Sequence, residues 1–202
     1  MARASELVRA AGGVVISDEV QSGYCRSGRW WGYEVSDFQP DIVVTGKPMG
    51  NGLPLSACAA SSDIVSTYRE RTRYFNTFAS SPLQAATGNA VLDVIENENL
   101  GDHAAEVGAY LESQLKQMTA SNPHFAEVRG HGLFVGLEWE KDKANNEPYR
   151  QGAVKVVNAL KDKGFLTSNA GAFSNVVKIR PPLVFQKSHA DAFLTAFEEV
   201  IS

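Results

Sequence analysis
GGVVISDEVQSGY, residues 12–24, is an apolar run that stops abruptly at two adjacent carboxylates, Asp18 and Glu19. Val14, Val15 and Ile16 follow one another without alternation, the pattern of a strand buried on both faces of a parallel sheet. DIVVTG, from Asp41, repeats it, and LSACAAS, from Leu55, offers a third strand. In open parallel sheets, ligands bind outside the carboxyl ends of the strands. Chemistry is therefore expected where the first strand exits, at Ser17-Asp18-Glu19-Val20-Gln21, and where the second exits, at Thr45-Gly46-Lys47.

Upstream, MARASELVRAAGG reads as a helix stopped by Gly12 and Gly13. Downstream, Leu83, Ala86, Ala90, Val91, Val94 and Ile95 recur at helical spacing behind Pro82, which suits a first turn. Ala104, Val107, Leu111, Leu115 and Met118 form the stripe of another helix, broken by Asn122-Pro123. A domain boundary is expected there, giving residues 1–121 and 122–202. In the second part, EVRGHGLFVGLEWE alternates as a hairpin through Leu133, Val135, Leu137 and Trp139. KDKANNEP reads as a loop, and Ala153, Val154, Val157 and Leu160 as a helix ending at Gly164. Short strands are expected at Phe165-Leu166 and NVVKIR. Ser188 is expected to cap a last helix with Ala190, Phe193, Leu194, Phe197, Val200 and Ile201 as its buried stripe. The fold class is thus α/β followed by a smaller α+β part.

The 202 residues are 44% hydrophobic and 21% charged, with a formal net charge of −4, which excludes a disordered tail, a fibre and a disulfide miniprotein. A mildly acidic chain also argues against a general nucleic-acid binder, and the basic run Arg69–Arg73, interrupted by Glu70, reads as a solvated face. Cys25 and Cys58 have no metal-ligand spacing and are expected to be reduced thiols of a cytoplasmic protein. No membrane span and no secretory signal is expected.

Three groups carry candidate chemistry. Asp18 and Glu19 at a strand exit suit a site or, equally, a turn with solvated acids. Lys47 followed by Pro48-Met49-Gly50-Asn51-Gly52 is an ammonium for a phosphate, an amine able to attack a carbonyl, or an exposed loop lysine. A nucleotide P-loop is rejected, because Pro48 stands where Ser or Thr must follow the lysine. Asn76-Thr77-Phe78-Ala79-Ser80-Ser81 lead into the helix at Pro82. They suit an anion at a helix N-terminus or simple capping by Ser80 or Ser81.

The ordered set GGVVISDEVQSGY, DIVVTGKPMGNGLP, YFNTFASSP, VRGHGLFVGLEW and VKIRPPL resembles the class III (ω-type) aminotransferases, pyridoxal-phosphate enzymes of fold type I. The wording is most similar to the branch of phospho-lyases and alanine–glyoxylate-aminotransferase-2-like proteins. The resemblance implies pyridoxal 5'-phosphate as cofactor, with Lys47 as the amine that binds it covalently and Asp18 facing its pyridine nitrogen. It puts Val20 on the ring face, Gln21 near the phenolic oxygen, and Thr77 on the phosphate, commonly from a neighbouring subunit. Arg180 matches an arginine that clamps a substrate carboxylate. Cys25 replaces a common glycine, which matters only if the backbone there needs positive φ. Leu53 replaces a histidine frequent in the phospho-lyase branch.

What the resemblance implies of function is transfer of an amino group between an amine or amino acid and a keto acid, in a homodimer. The alternatives are a phospho-lyase acting on a phosphorylated amine, and a non-catalytic fragment. The resemblance covers the C-terminal half of the family chain. The expectation is therefore that these residues hold the lysine-bearing part of the large domain and the small domain, and bind the cofactor weakly alone.

Overall fold
A computed structural model describes residues 1–79, 81–142 and 144–201. Ser80, in the hydroxyl-rich run, and Lys143, in the polar loop, lie outside the described residues. The chain divides into two compact units, Met1–Gly101 and Asp102–Ser202. The division precedes the Asn122-Pro123 break because the stripe of the preceding helix, Leu111 and Leu115, packs into the core of the second unit.

The first unit begins with α1 (Ala2–Ala10) and β1 (Ile16–Asp18). A short α2 (Gly32–Val35) leads to β2 (Ile42–Thr45), a 3₁₀ turn over Lys47–Gly50 and β3 (Ala57–Ala60). Then come α3 (Ser62–Arg71) and α4 (Pro82–Asn97). The sheet order is β1-β2-β3. β1 and β2 are parallel, with Asp18 opposite Val44, as the repeated apolar runs predict. β3 is antiparallel to β2, because the eleven or so residues joining them are too few for a parallel crossover.

Asp41 sets the β1–β2 pairing at its amino end. Its carboxylate accepts the Val15 amide at 2.7 Å and the Arg9 guanidinium at 3.1 Å, while its own amide donates to the Val15 carbonyl at 2.7 Å. Double-sided burial of β1 is not seen. Ser17 is buried, but Ile16 and Asp18 on the opposite face are exposed, so within this unit the strand alternates. Ser81 occupies the position before α4 without a side-chain cap bond. α3 forms where the sequence shows only a solvated basic face, and none of its residues is buried.

The second unit contains most of α5 (Leu100–Thr119), then β4 (Phe125–His131), β5 (Phe134–Asp142), β6 (Glu147–Pro148), α6 (Arg150–Asp162), β7 (Ser168–Ala170), β8 (Val176–Ile179) and α7 (Lys187–Ile201). Strands run β4-β5-β8-β7, with β6 beside β5. The predicted hairpin is β4–β5, pairing His131 with Phe134. Leu137, Leu160, Val177 and Phe197 are fully buried with Leu111 and Leu115, each contributing about 1.5–3 kcal/mol by leaving water.

Three local expectations are corrected. Leu166 is 87% exposed, and the strand forms later, at Ser168–Ala170, where residues can pair with β8. The predicted loop is shorter, because Lys141 and Asp142 extend β5 and Glu147 pairs with Asp142. Ser188 lies inside α7, and the Gln186 amide is instead met by His189 Nδ1 at 3.1 Å.

Candidate active site
Parallel pairing of β1 and β2 brings their carboxyl ends to one edge of the sheet. Asp18 is the last residue of β1, and Lys47 follows β2 after Thr45 and Gly46. Val20 and Gln21, both half-buried, continue from the β1 exit. Four of the six predicted site residues therefore leave two neighbouring strand ends.

Asp18 is exposed, and its Oδ1 accepts the Val20 amide at 3.1 Å. Among the described residues its Oδ2 accepts no hydrogen bond. Lys47 opens the 3₁₀ turn, exposed, and its amine makes no hydrogen bond or ion pair among the described residues. The turn is closed by the Met49 amide donating to the Gly46 carbonyl at 2.8 Å and the Leu53 amide to the Gly50 carbonyl at 2.9 Å. Gln84 of α4 braces its far side by donating to the Pro54 carbonyl at 2.7 Å. Thr45, two residues before the lysine, is buried, and its hydroxyl has no partner among the described residues.

Glu19, a candidate at the strand exit only as the neighbour of Asp18, is the most constrained side chain at this edge. It is 1% exposed. The Glu19 amide donates to the Val44 carbonyl at 2.8 Å, so the strand path continues past Asp18 and the two carboxylates point to opposite faces. Its Oε1 accepts the Ser17 hydroxyl at 2.7 Å and the Tyr33 amide at 3.0 Å. Its Oε2 accepts the Ser22 hydroxyl and the Gly32 amide, each at 2.7 Å. A signal was present in the sequence, since neighbouring acids on a strand cannot both face out. The amide donors, 13 and 14 residues away, were not legible.

Aromatic rings fill the loop that Glu19 gathers. Tyr24 meets Trp31 edge-on at 5.8 Å, and Trp31 stacks on Tyr33 at 6.5 Å. Burial, then the charges of Glu34 and Glu19, push the Tyr33 phenol above its ordinary value, and burial does the same to Tyr24.

Thr77 lies on an exposed turn held by the Phe78 amide donating to Asn76 Oδ1 at 3.0 Å. Among the described residues no hydrogen bond joins it to Asp18 or Lys47. Arg180 belongs to the second unit, exposed at the end of β8 before Pro181-Pro182.

The donor set fits pyridoxal phosphate. It offers an unpaired amine for the carbonyl and, at the adjacent strand end, a carboxylate with one oxygen open for a protonated ring nitrogen. A family model described as aminotransferase class-III matches residues 1–201. Alanine–glyoxylate aminotransferase 2 homolog 2, mitochondrial, of Arabidopsis thaliana is 39% identical over 100% of this chain and 42% of that protein. Ethanolamine-phosphate phospho-lyase homolog 1 of Caenorhabditis elegans is 38% identical over 96% of this chain and 43% of that protein. A solved phospholyase from Arthrobacter in complex with phosphoethanolamine matches with TM-score 0.92 and 37% identity, over 98% of this chain and 47% of its own. A Bacillus anthracis aminotransferase matches with TM-score 0.89 and 32% identity, over 97% of this chain and 46% of its own. The chain thus spans less than half the length of these relatives. Motif order, fold and family model agree: the chain belongs to the class-III aminotransferase family, pyridoxal-phosphate-dependent proteins of fold type I.

Proposed function
We propose that this chain carries the lysine-bearing part of a transaminase that moves an amino group between an amine or amino acid and a keto acid. The observation that supports it most is the exit of Lys47 and Asp18 from the carboxyl ends of two paired parallel strands. Residues 1–121 are proposed as the C-terminal part of the cofactor-binding large domain and 122–202 as the small domain. The protein is proposed to act as a cytoplasmic homodimer.

When bound, pyridoxal phosphate supplies an electron sink for negative charge at the reacting substrate carbon. Lys47 would hold the cofactor through Nζ and, with its amine free, would take the proton from the substrate carbon and carry it away from that carbon. Asp18 keeps the proton on the ring nitrogen by holding an opposite charge beside it. Val20 would pack on the ring, Gln21 would lie near the phenolic oxygen, and Thr77 would donate to the phosphate from the neighbouring subunit. Arg180 binds a substrate carboxylate with its two-pronged guanidinium.

A second reading, a phospho-lyase acting on a phosphorylated amine, is favoured by the phospholyase likeness at TM-score 0.92. The same Lys47 and Asp18 would serve it, with phosphate leaving the substrate carbon next to the one that loses its proton to Lys47. Arg180 leans toward the transaminase, because phosphoethanolamine has no carboxylate. The test is to supply the full-length protein and cofactor with a panel of amines and keto acids, and separately with phosphoethanolamine. Keto-acid-dependent amine exchange without phosphate release is expected. Phosphate release without exchange selects the lyase. Neither product from a correctly folded, cofactor-loaded protein contradicts both and leaves the non-catalytic alternative.

A further inference from the structure
Asp18 is exposed at the end of a short strand, where a carboxylate ordinarily samples several rotamers. Its orientation depends on the Val20 amide, which holds Oδ1 at 3.1 Å. That amide is only as fixed as the backbone around it, and residue 19 is where the backbone is tied down. The Glu19 carboxylate spends both oxygens on four donors, at 2.7 to 3.0 Å, from Ser17, Ser22, Gly32 and Tyr33. The Glu19 carbonyl also accepts the Gly23 amide at 3.0 Å, closing the turn that contains Val20 and Gln21.

The site is built for this one acceptor. A Cβ at Gly32 would lie 2.6 Å from Ser22 Cβ and 3.1 Å from Glu19 Oε2, so a side chain there would force apart the groups that meet at the carboxylate. A glutamine at 19 keeps the shape but turns one oxygen into an amino group that faces a backbone amide, which can only donate. A buried donor left without an acceptor is costly, so the loop would shift rather than tolerate it.

We propose that Glu19 is a positioning residue. Buried under the strand end, it fixes the backbone through Val20 and Ser22, so that the Val20 amide holds Asp18 Oδ1 and leaves Oδ2 for the ring nitrogen the cofactor would bring. Glu19 acts through Asp18 and touches neither cofactor nor substrate. The inference rests on the assignment of Lys47 and Asp18 as cofactor ligands.

The experiment uses the full-length protein with pyridoxal phosphate as the probe. Parent, Lys47→Ala, Asp18→Asn, Glu19→Gln and Ser22→Ala are compared by circular dichroism without cofactor. Cofactor affinity and the pH midpoint of the bound cofactor's visible-edge absorbance are then measured. Ser22→Ala removes one of the four bonds and keeps the fold, so it decides the matter if Glu19→Gln does not fold. Glu19→Gln is expected to weaken cofactor affinity at least tenfold and Ser22→Ala about threefold. In both, the pH midpoint is expected to move in the same direction as in Asp18→Asn. Folded variants whose affinity stays within twofold and whose midpoint does not move reduce Glu19 to a loop staple and overturn the inference. A parent without a Lys47-dependent band overturns the cofactor assignment itself, and the inference with it.

Discussion

Cys25 and Tyr24 sit at φ of 64° and 56°, two consecutive side chains in the left-handed region, and Cys25 is 2% exposed. Left-handed backbone costs a non-glycine residue roughly 1–2 kcal/mol, and a β-branched side chain tolerates it worst. Cys25→Val is therefore expected to lower stability by at least about 1 kcal/mol in urea unfolding. A midpoint equal to the parent's would refute the strain. The sequence marks this position through its missing glycine, but the torsion that makes the substitution matter comes from the loop Glu19 gathers. Thr45 gives the opposite sign. Its hydroxyl is buried without a described partner, so Thr45→Val is expected to be neutral or stabilising by up to about 1 kcal/mol. A loss of stability on calorimetry would mean that the hydroxyl is used. The strand-exit positions of Asp18 and Lys47 were legible because each ends an apolar run, a local signal. The ties of Glu19 were not, because its amide partners come from a distant stretch of chain.

At the scale of elements, β1 and β2 were readable from their unbroken apolar runs. The direction of β3 was not, being set by the length and turn geometry of the connection rather than by its own residues. α3 escaped because none of its side chains is buried, leaving no apolar stripe to detect. The β1–β2 start depends on Asp41, whose carboxyl is held below its usual range by the Val15 amide bond and, secondarily, by Arg9. A depressed folded-state pKa stabilises above the unfolded value, near 3.9, and this contribution is lost as pH falls through the folded value. Asp41→Asn is expected to lower the melting temperature near neutral pH and to flatten its fall below about pH 4. Parallel melting profiles for parent and variant would contradict that linkage. In the second unit, a Cβ on Gly108 of α5 would lie 2.0 Å from the Gly132 carbonyl oxygen at the hairpin turn. The obstacle is backbone and cannot swing aside. Gly108→Ala is expected to cost about 1–3 kcal/mol or more by overpacking, read as a lower urea midpoint, despite alanine's better helix propensity. An unchanged midpoint would show that the hairpin yields.

At the scale of the whole molecule, the two units have different characters. The second owns a continuous core from α5, the sheet, α6 and α7, and its alternating hairpin and helical stripes were plain in the sequence. The first presents an alternating β1 and an open strand-end edge with Lys47 and Asp18 exposed. Its apolar runs led to an expectation of two-sided burial that this unit does not supply. Exposed Phe75 and Phe78, at 83% and 84%, flank Thr77 and fit its proposed approach from another subunit. Every proposed role at this edge depends on Lys47 binding pyridoxal phosphate covalently. The most direct measurement is borohydride fixation of the cofactor on the full-length protein, followed by peptide mass mapping. A pyridoxyl group on Lys47 is expected, with loss of both the label and the visible-edge band in Lys47→Ala. Label on another lysine, or a band that survives in Lys47→Ala, would contradict it.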